Sequence, residues 1–260
     1  ELGVKVIYGV EGYLIEDETV TKDEELVLDK KKKKEKDKRY HIILLAKNMV
    51  GLRNLYKMIS ISHLEHYKVR PRLPRSVIKE HREGIIIGSA CEAGELMQSI
   101  VRGATKEELL EVASFYDYLE IQPHTNNTFL VRKGLMPDEQ ALIDMNKTVI
   151  ELGEALNKPV CATCDVHYLT PEEKIYREIM LTACGYPDAD EQPDLHLRTT
   201  DEMLASFPYL SEEKAYEVVV TNTRAINDSI EDIKPVPDGT YSPKIEGADE
   251  AFTEMCYRNA

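Results

Sequence analysis

The segment Val160-Cys-Ala-Thr-Cys-Asp-Val-His-Tyr168 carries two side chains suited to metal chemistry, Asp165 and His167, two residues apart. Read as a strand from Pro159 to Tyr168, it alternates faces, so Cys161, Thr163, Asp165 and His167 share one side. Asp165 and His167 then fall at the strand's C-terminal end, just before a helix, where catalytic groups gather in barrel-like α/β folds. A carboxylate and an imidazole so spaced can bind one or two divalent cations. The same short pattern also fits a helix N-cap beside a packed histidine.

Cys161-Ala-Thr-Cys164 has the CxxC spacing of zinc and thioredoxin-like sites. In a strand, residues three apart point to opposite faces and cannot chelate together. A redox pair belongs at a helix start, and structural zinc wants four ligands. Two small buried residues are the better reading. Three more residues stand where ligands could converge. Glu11 ends the apolar run from Val6 and needs a partner if buried. His41 opens the strand His-Ile-Ile-Leu-Leu-Ala. Cys91 lies in Gly88-Ser-Ala-Cys91, a strand-to-helix turn where a thiolate would gain from the helix N-terminus. His63 and His66, spaced i, i+3, have no third ligand nearby and read as exposed imidazoles at a helix end.

The elements that must position these groups alternate between strand and helix patterns, as in an α/β fold. Strands are expected over Val4 to Ile15, His41 to Ala46, Ile85 to Ile87, Tyr118 to Gln122 and Pro159 to Tyr168. Helices are expected over Gly51 to Leu64, Cys91 to Val101, Asp138 to Leu156 and, opening at Thr170, Pro171 to Cys184. A short helix capped by Thr199 or Thr200 runs to Phe207, and Ser211 caps another over Glu212 to Ile230. A linker rich in proline spans Pro235 to Pro243, and a helical pattern restarts over Ala248 to Ala260. Glu16 to Arg39 is a polar, charge-rich connection with little to bury.

Composition narrows the partners. The 260 residues carry a net charge of −14. Lys30 to Arg39 holds eight positive and two negative charges, so the rest carries −20. So acidic a surface opposes phosphate backbones, and nucleic-acid chemistry would need bound cations or a basic partner domain. The lysine run reads as a solvated loop, with a contact to DNA as its functional alternative. The longest aliphatic stretch, Ile42 to Ala46, is far short of the ~20 residues that span a bilayer. Five cysteines, an odd number in a chain this large, read as reduced thiols of a cytoplasmic protein. No secretory signal opens the sequence, and the lack of an initiator Met suggests a fragment.

In order along the chain, Tyr8-Gly-Val-Glu11, His41-Ile-Ile-Leu-Leu-Ala-Lys-Asn48, Gly88-Ser-Ala-Cys-Glu-Ala-Gly-Glu-Leu96 and Ala162-Thr-Cys-Asp-Val-His-Tyr168 resemble the PHP (polymerase and histidinol phosphatase) domain of bacterial DNA polymerase III α chains. Arg70-Pro-Arg-Leu-Pro-Arg-Ser76, Arg198-Thr-Thr-Asp-Glu-Met203, Thr221-Asn-Thr223 and Ile233-Lys-Pro-Val-Pro-Asp-Gly239 resemble the PolC type in particular. The resemblance implies a distorted (β/α)7, TIM-like barrel whose N-terminal strands are missing from this sequence. Residues 1–245 are then a partial domain, with the charged loop 16–39 at the exonuclease insertion point, and residues 246–260 begin a polymerase region. It implies Glu11, His41, Cys91, Asp165 and His167 as ligands of a centre holding more than one divalent ion. Asp165 and His167 would be catalytic, and His124 would line the cleft. The mixed ligand set suits zinc or manganese, with iron as a further option, better than magnesium. The implied chemistry is phosphoester hydrolysis of the 3′-to-5′ exonuclease kind. Implied partners are DNA, the other polymerase domains and replisome components, in the bacterial cytoplasm at the nucleoid and with no membrane. The family's early His-x-His motif has no counterpart here, and the interval Gly12 to Tyr40 is too short for the exonuclease that PolC-type relatives insert there. With about half of the ligand set, the chain is expected to turn over little substrate alone. A silent, metal-stabilised scaffold bracing the polymerase is the alternative, and a free-standing histidinol-phosphatase-like enzyme a third.

Overall fold

The computed structural model describes residues 3–17, 38–236, 238–240 and 242–260. Most of the polar connection, including all but Lys38 and Arg39 of the basic run, lies outside them.

The chain forms a mixed α/β fold. In order come β1 (Gly9–Ile15), β2 (Tyr40–Ala46), α1 (Met49–Leu64), the two-residue strands β3 (Tyr67–Lys68), β4 (Arg70–Pro71) and β5 (Leu73–Pro74), α2 (Arg75–Glu80), β6 (Ile85–Gly88), α3 (Glu95–Val101) and α4 (Lys106–Ser114). Next are β7 (Leu119–Ile121), α5 (Thr128–Arg132), α6 (Glu139–Leu156), β8 (Val160–Ala162), α7 (Lys174–Ala183), α8 (Thr200–Ala205), α9 (Glu212–Tyr216), α10 (Asn222–Ser229) and α11 (Ala248–Asn259). Four strands form a sheet in the order β5-β1-β2-β6, with β2 antiparallel to both neighbours. β7 and β8 are a parallel pair, and a parallel bridge from Gly88 to Tyr118 joins β6 to that pair.

Strand alternation divides the two faces. Ile42, Leu44, Ala46, Ile87, Leu119, Ile121 and Val160 point into the main core. There they meet Leu52, Leu55 and Met58 of α1 and Leu142, Met145, Val149 and Leu152 of α6. Side chains of intervening positions turn the other way: Ile86, Tyr118 and Cys161 form a smaller cluster with Ile230, and Glu11 and His41 lie on that second side. α1 is capped by Asn48, whose Oδ1 accepts the Gly51 N–H. α6 begins with Asp138 accepting from Ala141 N–H and ends at Asn157 in the left-handed conformation.

Several boundaries differ from the sequence expectation, each for a local reason. The first strand starts at Gly9 rather than Val4: Val4 and Val6 are exposed and pair with no strand among the described residues. β8 stops at Ala162 rather than Tyr168, because its partner β7 ends at Ile121 and Pro123 turns the chain away. The helix expected from Cys91 opens at Glu95, after a turn. Pro171–Glu173 is a 3-10 turn ahead of α7. The helix expected over Glu212 to Ile230 is broken by a π turn at Glu217–Thr221 and ends at Ser229.

Candidate metal centre

Three ligand-type side chains arrive from three elements. Glu11 comes from β1 and His41 from β2, and the register sets Tyr13 opposite His41 and Ile43 opposite Glu11. Glu11 and His41 are thus diagonal neighbours on one face, with His41 Nδ1 3.1 Å from Glu11 Oε1. The edge of Tyr13 packs on the imidazole, with centroids 5.3 Å apart. Cys91 comes from the turn after β6, which is tied to β2 where the His41 N–H donates to Ala93 O over 3.0 Å. The turn depends on Gly94, since a Cβ there would lie 2.2 Å from Ser89 O. Cys91 Sγ then stands 3.4 Å from His41 Nδ1. Among the described residues, Glu11, His41 and Cys91 form the one cluster of ligand atoms that all lie within 4.8 Å of one another.

The charge state of the cluster fits a cation. Burial pushes the Cys91 thiol well above its ordinary range, and Glu92 and Glu11 push it further, so the sulfur keeps its proton. The helix-terminal assistance expected from the sequence is absent because α3 opens only at Glu95. Burial also raises the Glu92 carboxyl. Two acids and a thiol crowded together repel one another when ionised, and within the cluster only a protonated His41 would offset them. A divalent ion among them would reverse this and take the thiol as thiolate. Carboxylate, imidazole and thiolate together suit a borderline or soft ion better than magnesium.

Asp165 and His167 line the same cavity, about 400 Å³ in volume, as Glu11, His41 and Cys91, though they stand outside the tight cluster. They sit on the loop after β8, so the shared strand face expected for Cys161 through His167 does not extend to them. Asp165 adopts φ +57°, the left-handed region that Asp tolerates better than most residues. Its loop is pinned from several sides. Thr163 N–H donates to Ile121 O at 2.9 Å, and Thr163 Oγ1 donates to Glu120 Oε2 at 3.1 Å. Asn126 Nδ2 donates to Cys164 O at 3.2 Å, and Arg198 reaches Cys164 Sγ at 3.0 Å. His167 Nδ1 lies 2.7 Å from Asp165 O and 3.9 Å from Asp165 Oδ1.

The remaining expectations resolve as follows. The five cysteines are free, and the CxxC thiols have separate surroundings. Cys161 is buried among apolar neighbours, which push its thiol up to about 12, while Cys164 Sγ donates to His196 O. His63 lies against Ile59 O and stacks on Tyr67. His124 turns from the cavity to Glu139 Oε1, 2.9 Å away, and to the edge of Tyr209; Gln122 and Asn126 line the cavity in its place. Glu92, Gln122, Asn126 and the buried Glu120 were missed by sequence reading. Only Glu120 left a signal, an acid inside the apolar run Tyr-Leu-Glu-Ile. Burial pushes its carboxyl up to about 6, and Glu11 and Asp165 add to the rise.

Residues 1–124, just under half of the chain, match the family model described as the PHP domain. Glu11, His41 and Cys91 lie inside that stretch, Asp165 and His167 beyond it. Over most of its length the chain is also similar to DNA polymerase III of the PolC type. It is 54% identical to that of Clostridium perfringens over 216 residues, 83% of this chain and 15% of the relative. It is 48% identical to that of Bacillus subtilis over 224 residues, and 43% identical to that of Listeria monocytogenes over 225 residues. The chain therefore spans only about 15–16% of the curated relatives it matches. Among the described residues, no helix is long and apolar enough to cross a membrane.

Proposed function

We propose that this chain is the PHP region of a PolC-type replicative polymerase and that its cavity is a phosphoester-hydrolysing metal centre. The observation that carries this reading is the convergence of Glu11, His41 and Cys91 within 4.8 Å, in a cavity that Asp165 and His167 also line. These five residues are the proposed ligands, and zinc or manganese is the proposed metal, with iron as the further option. Bound divalent ions supply charge neutralisation on a phosphate and make water a stronger nucleophile at neutral pH. The protein's own part is to fix the ligands on strands, to hold Asp165 and His167 on a pinned loop, and to keep the Cys91 proton until a cation takes its place.

The distorted (β/α)7 barrel over residues 1–245 is carried over from the family. It is supported by strands that pack helices on one side, and whose other side carries a smaller apolar cluster together with Glu11 and His41 of the cavity. Residues 246–260 would then begin the polymerase region. DNA synthesis, contact with DNA and the replisome, and a cytoplasmic, nucleoid-associated location belong to the whole protein proposed here.

The spread of the ligands favours a second reading as well. Only three of the five side chains are within ligating reach of one another, and they tie β1, β2 and the Cys91 turn together as a structural ion would. The two readings part on one experiment. The whole polymerase, loaded with manganese, is assayed on an aryl phosphate and on a primer with a mismatched 3′ end, as wild type and as Asp165→Ala in a polymerase whose DNA synthesis is intact. Hydrolysis lost in the variant supports the active centre. Absence of hydrolysis together with a lowered melting temperature in the variant supports the scaffold.

A further inference from the structure

The cavity continues past the ligand cluster into a region whose polar groups are unmet, and the pattern of what is met identifies its occupant. Three cations line the cavity: Arg132, Lys133 and Arg177. Arg132 is neutralised by Glu191, Nε to Oε2 at 2.9 Å, and Lys133 by Asp188 at 3.2 Å. Arg177, on α7, has no acid or carbonyl acceptor among the described residues, and its Nε is buried without a partner. A guanidinium left this way forgoes charge-assisted hydrogen bonds worth roughly 1.5–3 kcal/mol each.

Two acceptors in the same cavity are unmet. Gln122 and Asn126 are only 4% and 5% exposed, and Gln122 Oε1 and Asn126 Oδ1 are buried with nothing donating to them. The orientation of Asn126 is settled by its nitrogen, which donates to Cys164 O, so the oxygen is the free end. Tyr186 lines the same space with half its surface open. The region thus offers a planar cation for phosphate, two acceptors for hydroxyl or amino donors, and an aromatic face of the kind on which bases stack.

We propose that Arg177, Gln122, Asn126 and Tyr186 form a subsite for a nucleoside phosphate, with the phosphate on Arg177 and the sugar or base donors on the two amide oxygens. The inference rests on the metal centre proposed above, because Glu11, Glu92 and Asp165 would repel the phosphate until cations neutralise them. A volume of about 400 Å³ accommodates one nucleotide unit. A free nucleotide and the end of a strand share this chemistry.

The test is equilibrium binding by titration calorimetry on the full chain loaded with manganese, with metal content measured on each sample. The probes are inorganic phosphate, thymidine monophosphate and a short single-stranded oligonucleotide. Neither test side chain gives up an internal hydrogen bond when changed. Arg177→Gln should weaken all three probes about tenfold or more at unchanged metal content. Gln122→Met should weaken the nucleotide and oligonucleotide while leaving inorganic phosphate alone. An oligonucleotide bound more tightly than the mononucleotide assigns the subsite to a strand end, and equal affinity assigns it to a free nucleotide. Metal-loaded protein that binds none of the probes, or binds them equally in Arg177→Gln, overturns the subsite and leaves the metal centre standing. A chain that takes up no cation overturns both.

Discussion

His41 Nδ1 stands 3.1 Å from Glu11 Oε1, and the contact is made diagonally across the β1–β2 ladder rather than along the chain. The backbone register therefore sets the positions from which the two side chains meet.

From this comes the first expectation. His41→Ala removes the group that touches both Glu11 and Cys91. Its affinity for zinc or manganese should fall by more than the roughly 10–100-fold that loss of an outer-sphere partner costs. Plasma emission analysis of dialysed protein reads this directly. Wild-type metal content in the variant would remove His41 from the centre.

Gly94→Ala tests the turn that carries Cys91. The new Cβ would meet Ser89 O at 2.2 Å and Cys91 O at 3.0 Å, and both are backbone atoms that cannot swing aside. Denaturant unfolding should show a loss of about 1–3 kcal/mol. Metal affinity should fall with it, because the thiol moves with the turn. A variant with wild-type stability and metal content would mean that the turn is not confined.

Glu120 makes stability depend on pH. Its carboxyl titrates at about 6 in the folded chain, against an ordinary 4.5. The folded state therefore keeps a proton that the unfolded state releases in that window. The contribution is fully present below about pH 4.5 and is lost as the pH rises through 6, by roughly 2 kcal/mol in metal-free protein. Glu120→Gln removes the loss. The variant should exceed wild type by up to about 2 kcal/mol near pH 8, with the gap shrinking toward about pH 4. A gap that does not vary with pH would exclude titration of Glu120 as its cause.

Arg75 holds a second buried acid. Its guanidinium lies 2.8 Å from Glu95 Oε2 and 2.6 Å from Glu16 Oε1, and it stacks over the Phe115 ring. Tyr116 donates to the same Glu95 oxygen. Arg75→Met leaves Glu95 without its cation and should cost about 3–5 kcal/mol by chemical denaturation. Adding Glu95→Gln should restore much of that loss. A double variant no better than the single one would show that stacking on Phe115, rather than charge, is what Arg75 supplies.

The long periodic elements were legible in the sequence because their apolar spacing is also their packing. The apolar positions of the helix expected over Asp138 to Leu156 are Ala141, Leu142, Met145, Val149 and Leu152, and all of them but the half-buried Ala141 are buried in α6. The late Asp-x-His was placed on a strand, and it is a loop, because strand length is set by the partner: β7 ends at Ile121, which periodicity in residues 160–168 cannot reveal. Cys91 was placed at a helix start for a similar reason, since the three-residue turn before Glu95 depends on the Ser89–Gly94 contact. The five ligand candidates were singled out by residue type and order, and the fold gathers them around one cavity. Gln122 and Asn126 left no mark, because an amide draws notice only once its burial and its missing partner are seen.

The β1–β2 hairpin has one more consequence. Glu11 and His41 sit on rungs already closed by the Leu14–Tyr40 pair, and the connection between Asp17 and Lys38 leaves from the far side of that pair. Extra chain spliced in there raises the closure entropy by only about 0.6 kcal/mol for each doubling of its length. The two ligands are thereby insulated from whatever is grafted at that point, and a whole folded module could be added or deleted without moving the carboxylate relative to the imidazole.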